Sequence, residues 1–206
     1  MKNIIFDLGN VIIDIDFERT FKAFASISET IDWREGERIL KEKQIWAKYE
    51  KGLFTDNEFR DVIRNEFQID ATDEQIDTAF CGLLMDIEPA RIELIQKLSS
   101  KYNTYILSNT SNIHILEVEK ILERCTGVKK LSDIFHHVFL SYEMGMLKPD
   151  VEIYEEVLKK ANLVASETLF LDDLVANLEG AASIGIQTKQ IVPREFTILD
   201  LFADEI

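Results

Sequence analysis

Three carboxylates, one lysine and a Ser-Asn pair stand where short apolar runs end. Asp7 follows "NIIF", Ser108 and Asn109 follow "TYIL", Asp172 and Asp173 follow "TLFL", and Lys148 sits in "GMLKPD" at 145–150. Short runs rich in β-branched and large apolar residues, with little alternation, read as strands buried on both faces. In an open parallel sheet, ligands bind beyond the carboxyl ends of the strands, so residues just after each run face one crevice. Asp7 and Asp172 then share a rim although some 165 positions separate them.

Carboxylates gathered this closely repel one another and stay ionised at neutral pH only if a cation joins them. A small set of oxygen ligands, with room for water and substrate, suits Mg²⁺ better than zinc. The expected ligands are Asp7 and Asp173, Asp172 either directly or through water, and the backbone carbonyl of Gly9. Pro149 disfavours helical geometry at Lys148 and can open the helix that follows. A lysine held there would pair with the nucleophile and neutralise an incoming phosphate, and Ser108 and Asn109 can donate to the same oxygens. Each feature alone has a plainer use, as a helix cap, a loop or a solvated turn. Their order and spacing together point to a site.

The elements that must position these residues follow from periodicity. "NIIF", "TYIL", "TLFL" and "GIQTKQIV" predict buried strands, with "HVFLS" a weaker fifth. Between them, "ARIELIQKLSSK" at 90–101 and "VEIYEEVLKKANL" at 151–163 place apolar residues every three or four positions, as helices do. Alternating strands and helices predict an α/β fold with a doubly wound parallel sheet, built from residues 1–16 and 87–206. Residues 17–86 are helical in pattern throughout, too long for a simple crossover, and predict a small all-helical insert. Thr55 with Glu58, and Thr72 with Gln75, form T-x-x-E/Q boxes that mark two helix starts within it. Trp33, Trp46, Tyr49 and Phe54 in this segment are candidate contacts with a leaving group, but their helical spacing reads first as core packing, which keeps them out of the site.

Composition narrows the function. A net charge of −15 and a pI near 4.6 argue against nucleic-acid or anionic-membrane partners, because the field of the protein repels polyanions. A small anionic substrate remains compatible, since a metal or a buried lysine reverses the sign locally. No apolar run approaches bilayer length, and the N-terminal run breaks at Asp7 before a signal-peptide core could form, which predicts a cytoplasmic protein. Cys81 and Cys125 read as reduced thiols, and His114, His136 and His137 as surface or boundary residues.

Taken in order, "IIFDLGNV" at 4–11, "ILSNT" at 106–110, "GMLKPD" and "LFLDDLVANLEGA" at 169–181 resemble the four motifs of the haloacid dehalogenase (HAD) superfamily. That superfamily is dominated by Mg²⁺-dependent phosphatases that work through an aspartyl-phosphate, and the helical insert resembles its α-helical C1 cap. The resemblance implies that Asp7 attacks phosphorus, that Ser108, Asn109 and Lys148 hold the phosphoryl oxygens, and that Asp173, aided by Asp172, binds the metal. Asn177, one helical turn past Asp173, would steady the loop or the water shell of the metal. The implied substrate is a small phosphorylated metabolite, a sugar phosphate among the candidates.

The sequence departs from the pattern at Gly9, where family phosphatases usually carry a second Asp as general acid and base. Such a group is typically worth about 10²–10⁴-fold in rate. Three accounts of the gap stand: a substrate with a good leaving group, such as a sugar 1-phosphate or acyl phosphate; service by Asp14 or Asp16 of "VIIDID"; or weak catalysis in a phosphate-binding or regulatory protein. The dehalogenase branch also lacks the second Asp but works without metal. A metal-free site holding Asp7, Asp172 and Asp173 would be electrostatically costly, which favours phosphate chemistry.

Overall fold

The computed structural model describes residues 1–28 and 31–205; residues 29 and 30 of the expected insert lie outside the described residues. The elements run β1 (Asn3–Phe6), α1 (Phe17–Ser26), α2 (Trp33–Glu42), α3 (Ile45–Glu50), α4 (Asp56–Phe67), α5 (Asp73–Phe80), α6 (Pro89–Ser99), β2 (Asn103–Ser108), α7 (Asn112–Thr126), β3 (His137–Leu140), α8 (Ser141–Met144), α9 (Val151–Lys160), β4 (Thr168–Asp172), α10 (Val175–Ser183) and β5 (Gln187–Gln190). All five strands are parallel, in the order β3-β2-β1-β4-β5. The chain passes from β1 outward to β3, then returns across the sheet to β4. That reversal puts the switch point beside β1.

Alternation along the strands fills both faces. Ile4, Phe6, Ile106 and Leu171 join the buried cluster made with α6 and α7, while Ile5, Tyr105, Leu107 and Phe170 join the cluster made with α9 and α10. Phe6 is in register with Leu171 and Ile106, so Asp7 leaves the sheet beside Asp172, with Ser108 ending the neighbouring strand. β5 corrects the expectation that "GIQTKQIV" forms a strand buried on both faces. It is an edge strand paired only with β4, its residues largely exposed, and burial falls on Ile186 and Ile191 at its two ends.

Helices α1 to α5 pack around a separate apolar cluster that includes Phe21, Phe24, Tyr49, Phe59, Phe67 and Phe80, and Ile113 of α7 joins it from the sheet side. Both threonine boxes form complete capping boxes, at α4 and α5. Within the segment helical in pattern, α2 and α3 are separate helices, because Gln44 takes a left-handed conformation at φ 52° and turns the chain between them. Among the described residues, no helix is long and apolar enough to cross a membrane. Cys81 and Cys125 are free thiols.

His136 and His137 are exposed, as expected, but His114 is buried, which corrects its reading as a surface or boundary residue. It lies in the first turn of α7, stacks on Phe80 with ring centroids 3.9 Å apart, and its Nε2–H donates to Phe80 O at 3.2 Å. Burial pulls its pKa from 6.5 down to about 4, so the fold accepts only the neutral ring near neutrality. A folded-state pKa below the unfolded one gives stability that is complete above the unfolded value and shrinks as pH falls toward the folded value. Urea unfolding at pH 7 and pH 5 should therefore show a loss of about 2 kcal/mol in the wild type that His114→Phe does not share. Identical pH slopes in the two proteins would disprove it.

Candidate active site

Lys148 organises the sheet edge. Its side chain is 1 % exposed, and its ammonium meets Asp7 Oδ1 at 2.8 Å, Asp172 Oδ2 at 2.7 Å and Leu107 O at 3.0 Å. Three donors thus meet three acceptors, which is the full capacity of an ammonium. Burial works against the charged lysine, yet Asp7 and Asp172 outweigh it and hold its pKa above the ordinary value. The loop that carries Lys148 is clamped by Asn109, whose Nδ2 donates to Lys148 O and whose Oδ1 accepts from Lys148 N–H, both at 2.9 Å. It is also pressed against α10: a Cβ on Gly180 would lie 2.4 Å from Pro149 O, so only glycine permits the approach.

Each acid has a different environment. Among the described residues, the hydrogen bonds to the Asp7 carboxylate, from Lys148 and from Leu8 N–H at 2.7 Å, both end on Oδ1. Oδ2 is the oxygen left for a ligand. Burial pushes the Asp7 carboxyl up to about 7, with Lys148 pulling it down and Asp172 adding to the rise. Asp172 is fully buried and saturated: Oδ1 accepts from Leu174 N–H at 2.8 Å and Asn177 Nδ2 at 2.9 Å, and Oδ2 accepts from Lys148 and from Asn177 Nδ2 at 3.0 Å. Asp173 is half-buried and accepts from Asn10 Nδ2 at 2.9 Å. Burial raises its pKa, Asn10 opposes that, and Asp172 adds to it.

Asp7, Asp172 and Asp173 each offer a carboxylate oxygen, and these oxygens lie within 4.8 Å of one another. An all-oxygen cluster of this charge fits a hard dication. The saturated Asp172 fits a supporting place behind Asp7 and Asp173 better than direct ligation. Ser108 Oγ is 3.5 Å from Asn109 O, too far to be held firmly, so the hydroxyl stays available. Asn109 lines the cavity and also clamps the lysine loop; its Nδ2 gives one N–H to Lys148 O and keeps a second for another acceptor. Asn177 steadies Asp172, and Tyr154 O–H in turn donates to Asn177 O at 2.8 Å.

These groups open onto a cavity of about 670 Å³ that Asp7, Gly9, Ser108, Asn109, Lys148, Asp173 and Asn177 line from the sheet side. The opposite wall comes from the helical segment and is largely apolar, with Phe17, Phe21, Leu40 and Trp46. Asp14 and Asp16 do not line it. Asp14 pairs with Arg91 Nη1 at 2.7 Å, and Asp16 caps α1 by accepting from Glu18 N–H. Among the lining residues that sequence reasoning did not assign to the site are Asn10, which holds Asp173; Trp46, read there as packing; and Glu50, which accepts from Trp46 Nε1–H at 2.9 Å. Asn10 carried one usable signal, its place beside Gly9 in "DLGN".

A parallel sheet with acids and a lysine converging at its switch point defines a hydrolase-like α/β site, and the comparisons specify which. The chain belongs to the haloacid dehalogenase-like hydrolases, whose family model matches residues 1–185. It is 31% identical over 192 residues to the D-ribitol-5-phosphate phosphatase of Bacteroides thetaiotaomicron, covering 92% of this chain and 91% of that one. A HAD family enzyme from the same organism, solved with magnesium and inorganic phosphate, superposes with a TM-score of 0.87 at 38% identity, over 95% of this chain and 96% of that one. A HAD-like hydrolase from Porphyromonas gingivalis superposes with a TM-score of 0.88 at 27% identity, over 98% of this chain and 97% of the other.

Proposed function

We propose that this chain is a magnesium-dependent phosphatase that hydrolyses a small phosphorylated metabolite through an aspartyl-phosphate on Asp7. The observation that carries the reading is the buried Lys148 ammonium held between Asp7 and Asp172, with Asp173 beside them, at the floor of one cavity. A cation so placed favours the ionised form of Asp7 against the effect of burial and leaves Oδ2 free to attack phosphorus in line with the leaving oxygen. Ser108 Oγ and Lys148 would hold the phosphoryl oxygens, with Asn109 keeping the lysine loop in place. Asp7, Asp173 and the Gly9 carbonyl would hold the metal, with Asp172 and Asn177 behind them. Magnesium there would offset charge on the phosphoryl group and on the clustered carboxylates.

Residues 17–86 act, in this reading, as a cap over a core of residues 1–16 and 87–206, excluding water and contacting the leaving group. A sugar or polyol phosphate is the substrate class best supported, because a phosphatase for D-ribitol 5-phosphate is similar along nearly the whole chain. Carbon–halogen chemistry is disfavoured by the three acids, which a metal-free site would leave underneutralised. The test is colorimetric phosphate release over a panel of sugar and polyol phosphates. Release is expected with Mg²⁺, lost with EDTA and restored by excess Mg²⁺. Release unaffected by EDTA, or none from any member of the panel, would defeat the proposal.

A further inference from the structure

Gly9 removes the usual acid/base, and Ile15 packs close to it: a Cβ on Gly9 would lie 3.1 Å from Ile15 Cδ1. Asp14 and Asp16 are committed to Arg91 and to the α1 cap. Two further acidic residues line the cavity from the helical wall, Glu37 and Glu50. Glu37 is ion-paired with Lys41 at 2.6 Å. Glu50 instead takes a neutral donor, Trp46 Nε1–H, on Oε1.

The backbone at Glu50 is anchored to the sheet side. Ser141 Oγ, fully buried at the start of α8, donates to Glu50 O at 2.6 Å and accepts from Thr110 N–H at 2.9 Å. Thr110 is two residues past Ser108, so one hydroxyl ties α3 to the phosphate-facing loop. Two positions on, Gly52 has φ 73° and a Cβ there would lie 2.3 Å from Tyr142 O, so the end of α3 sits against α8 as only glycine allows. Nearby, Asp56 accepts from Tyr49 O–H at 2.6 Å and from Asn112 Nδ2 at 2.8 Å, a second tie between the layers.

We infer that Glu50, delivered from α3 across the cavity, is the general acid and then the general base that Gly9 cannot be. The inference rests on the phosphatase reading. In the first step Asp7 Oδ2 forms a bond to phosphorus, the ester P–O bond breaks, and the leaving oxygen takes the proton of the Glu50 carboxyl. In the second, water attacks phosphorus and gives its proton to the Glu50 carboxylate as the Asp7–phosphorus bond breaks. Ester and water become alcohol and hydrogen phosphate, and both side chains return to their starting states. Burial pushes the Glu50 carboxyl up to about 7, the Trp46 hydrogen bond and Lys148 pull it down, and Asp7 adds to the rise. The other charged groups lining the cavity are Glu37, Lys41 and Asp173. A carboxyl that titrates near the working pH serves both directions of proton transfer.

The experiment compares an alkyl phosphate that the wild type hydrolyses with p-nitrophenyl phosphate, whose leaving group needs no proton. Glu50→Gln should lower kcat/KM on the alkyl ester by about 10²–10⁴-fold and on the aryl ester by about tenfold or less. With the aryl ester it should release a burst of nitrophenolate followed by slow turnover, because the second step still lacks its base. The alkaline limb of the wild-type kcat/KM profile, near pH 7, should vanish in Glu50→Gln and reappear in Glu50→Asp. Trp46→Phe, which removes a donor from the carboxylate, should move that limb to higher pH, and it decides the matter if Glu50→Gln does not fold. Equal losses on both esters, or an unmoved limb in both the Glu50 and Trp46 variants, would overturn the inference while leaving the phosphatase reading intact. A wild type that releases no phosphate from either ester overturns both.

Discussion

Asp7→Asn is expected to lower phosphate release by more than about 10⁴-fold while leaving the protein folded. An amide of the same shape keeps an oxygen for Leu8 N–H, which meets Oδ1 at 2.7 Å, but has no carboxylate to attack phosphorus. The fold should not suffer, because Lys148 retains Asp172 at 2.7 Å and Leu107 O at 3.0 Å. One buried cation then faces one carboxylate in direct contact instead of two. In EDTA the variant should melt at or above the wild-type temperature, since the repulsion between positions 7 and 172 is gone. Phosphate release and a thermal melt check the two halves. Activity above about one per cent of wild type would exclude Asp7 as the nucleophile.

What could be read in advance was whatever depended on local pattern. β1, β2 and β4 are continuous apolar runs, and the acid or serine that ends each run is delivered to the sheet edge by strand direction alone. The capping boxes at Thr55 and Thr72 close within one helical turn, so three residues of sequence contain the whole interaction. β5 misled because "GIQTKQIV" has apolar ends and a polar middle; only the sheet order makes it an edge, where a polar middle is tolerated. The break at Gln44 depends on one residue in a left-handed conformation, which glutamine does not advertise. The clamp that Asn109 makes on the lysine loop was not legible, because its partner, the backbone of Lys148, is 39 positions away. His114 and Glu50 share that problem. Both lie on ordinary amphipathic helices, and what they do is set where α3 and α7 meet across the apolar cluster and the Ser141 tie, contacts that no helical period encodes. The residues that hold a charge at the sheet edge were therefore legible, whereas those that reach the cavity from the helical wall were not.

Lys148→Met should be the most damaging single substitution at the site, for stability as well as for turnover. Methionine approximates the length of the lysine stem and avoids a large void, so the loss isolates the ammonium. Without it, Asp7 and Asp172 face each other in the interior with no cation in contact, and Leu107 O loses its donor. Breaking a buried pair by removing one partner typically costs about 3–5 kcal/mol, because the charge left behind is neither solvated nor matched. The remaining carboxyls respond by holding protons more tightly in the folded state than in the unfolded one. A raised folded-state pKa on an acid means stability that is complete below the unfolded pKa and lost as pH rises toward the folded one. The deficit of Lys148→Met relative to wild type should therefore be greatest at pH 7 and above and shrink as the buffer is brought toward pH 5. Saturating Mg²⁺ should raise the melting temperature of the variant more than that of the wild type, since a ligand that binds only the folded state stabilises it in proportion to its affinity, and more unbalanced negative charge awaits it in the variant. Urea titrations at the two pH values, with and without Mg²⁺, measure all of this. A variant as stable as the wild type in EDTA at pH 7 would mean that the ammonium is not what holds the carboxylates together.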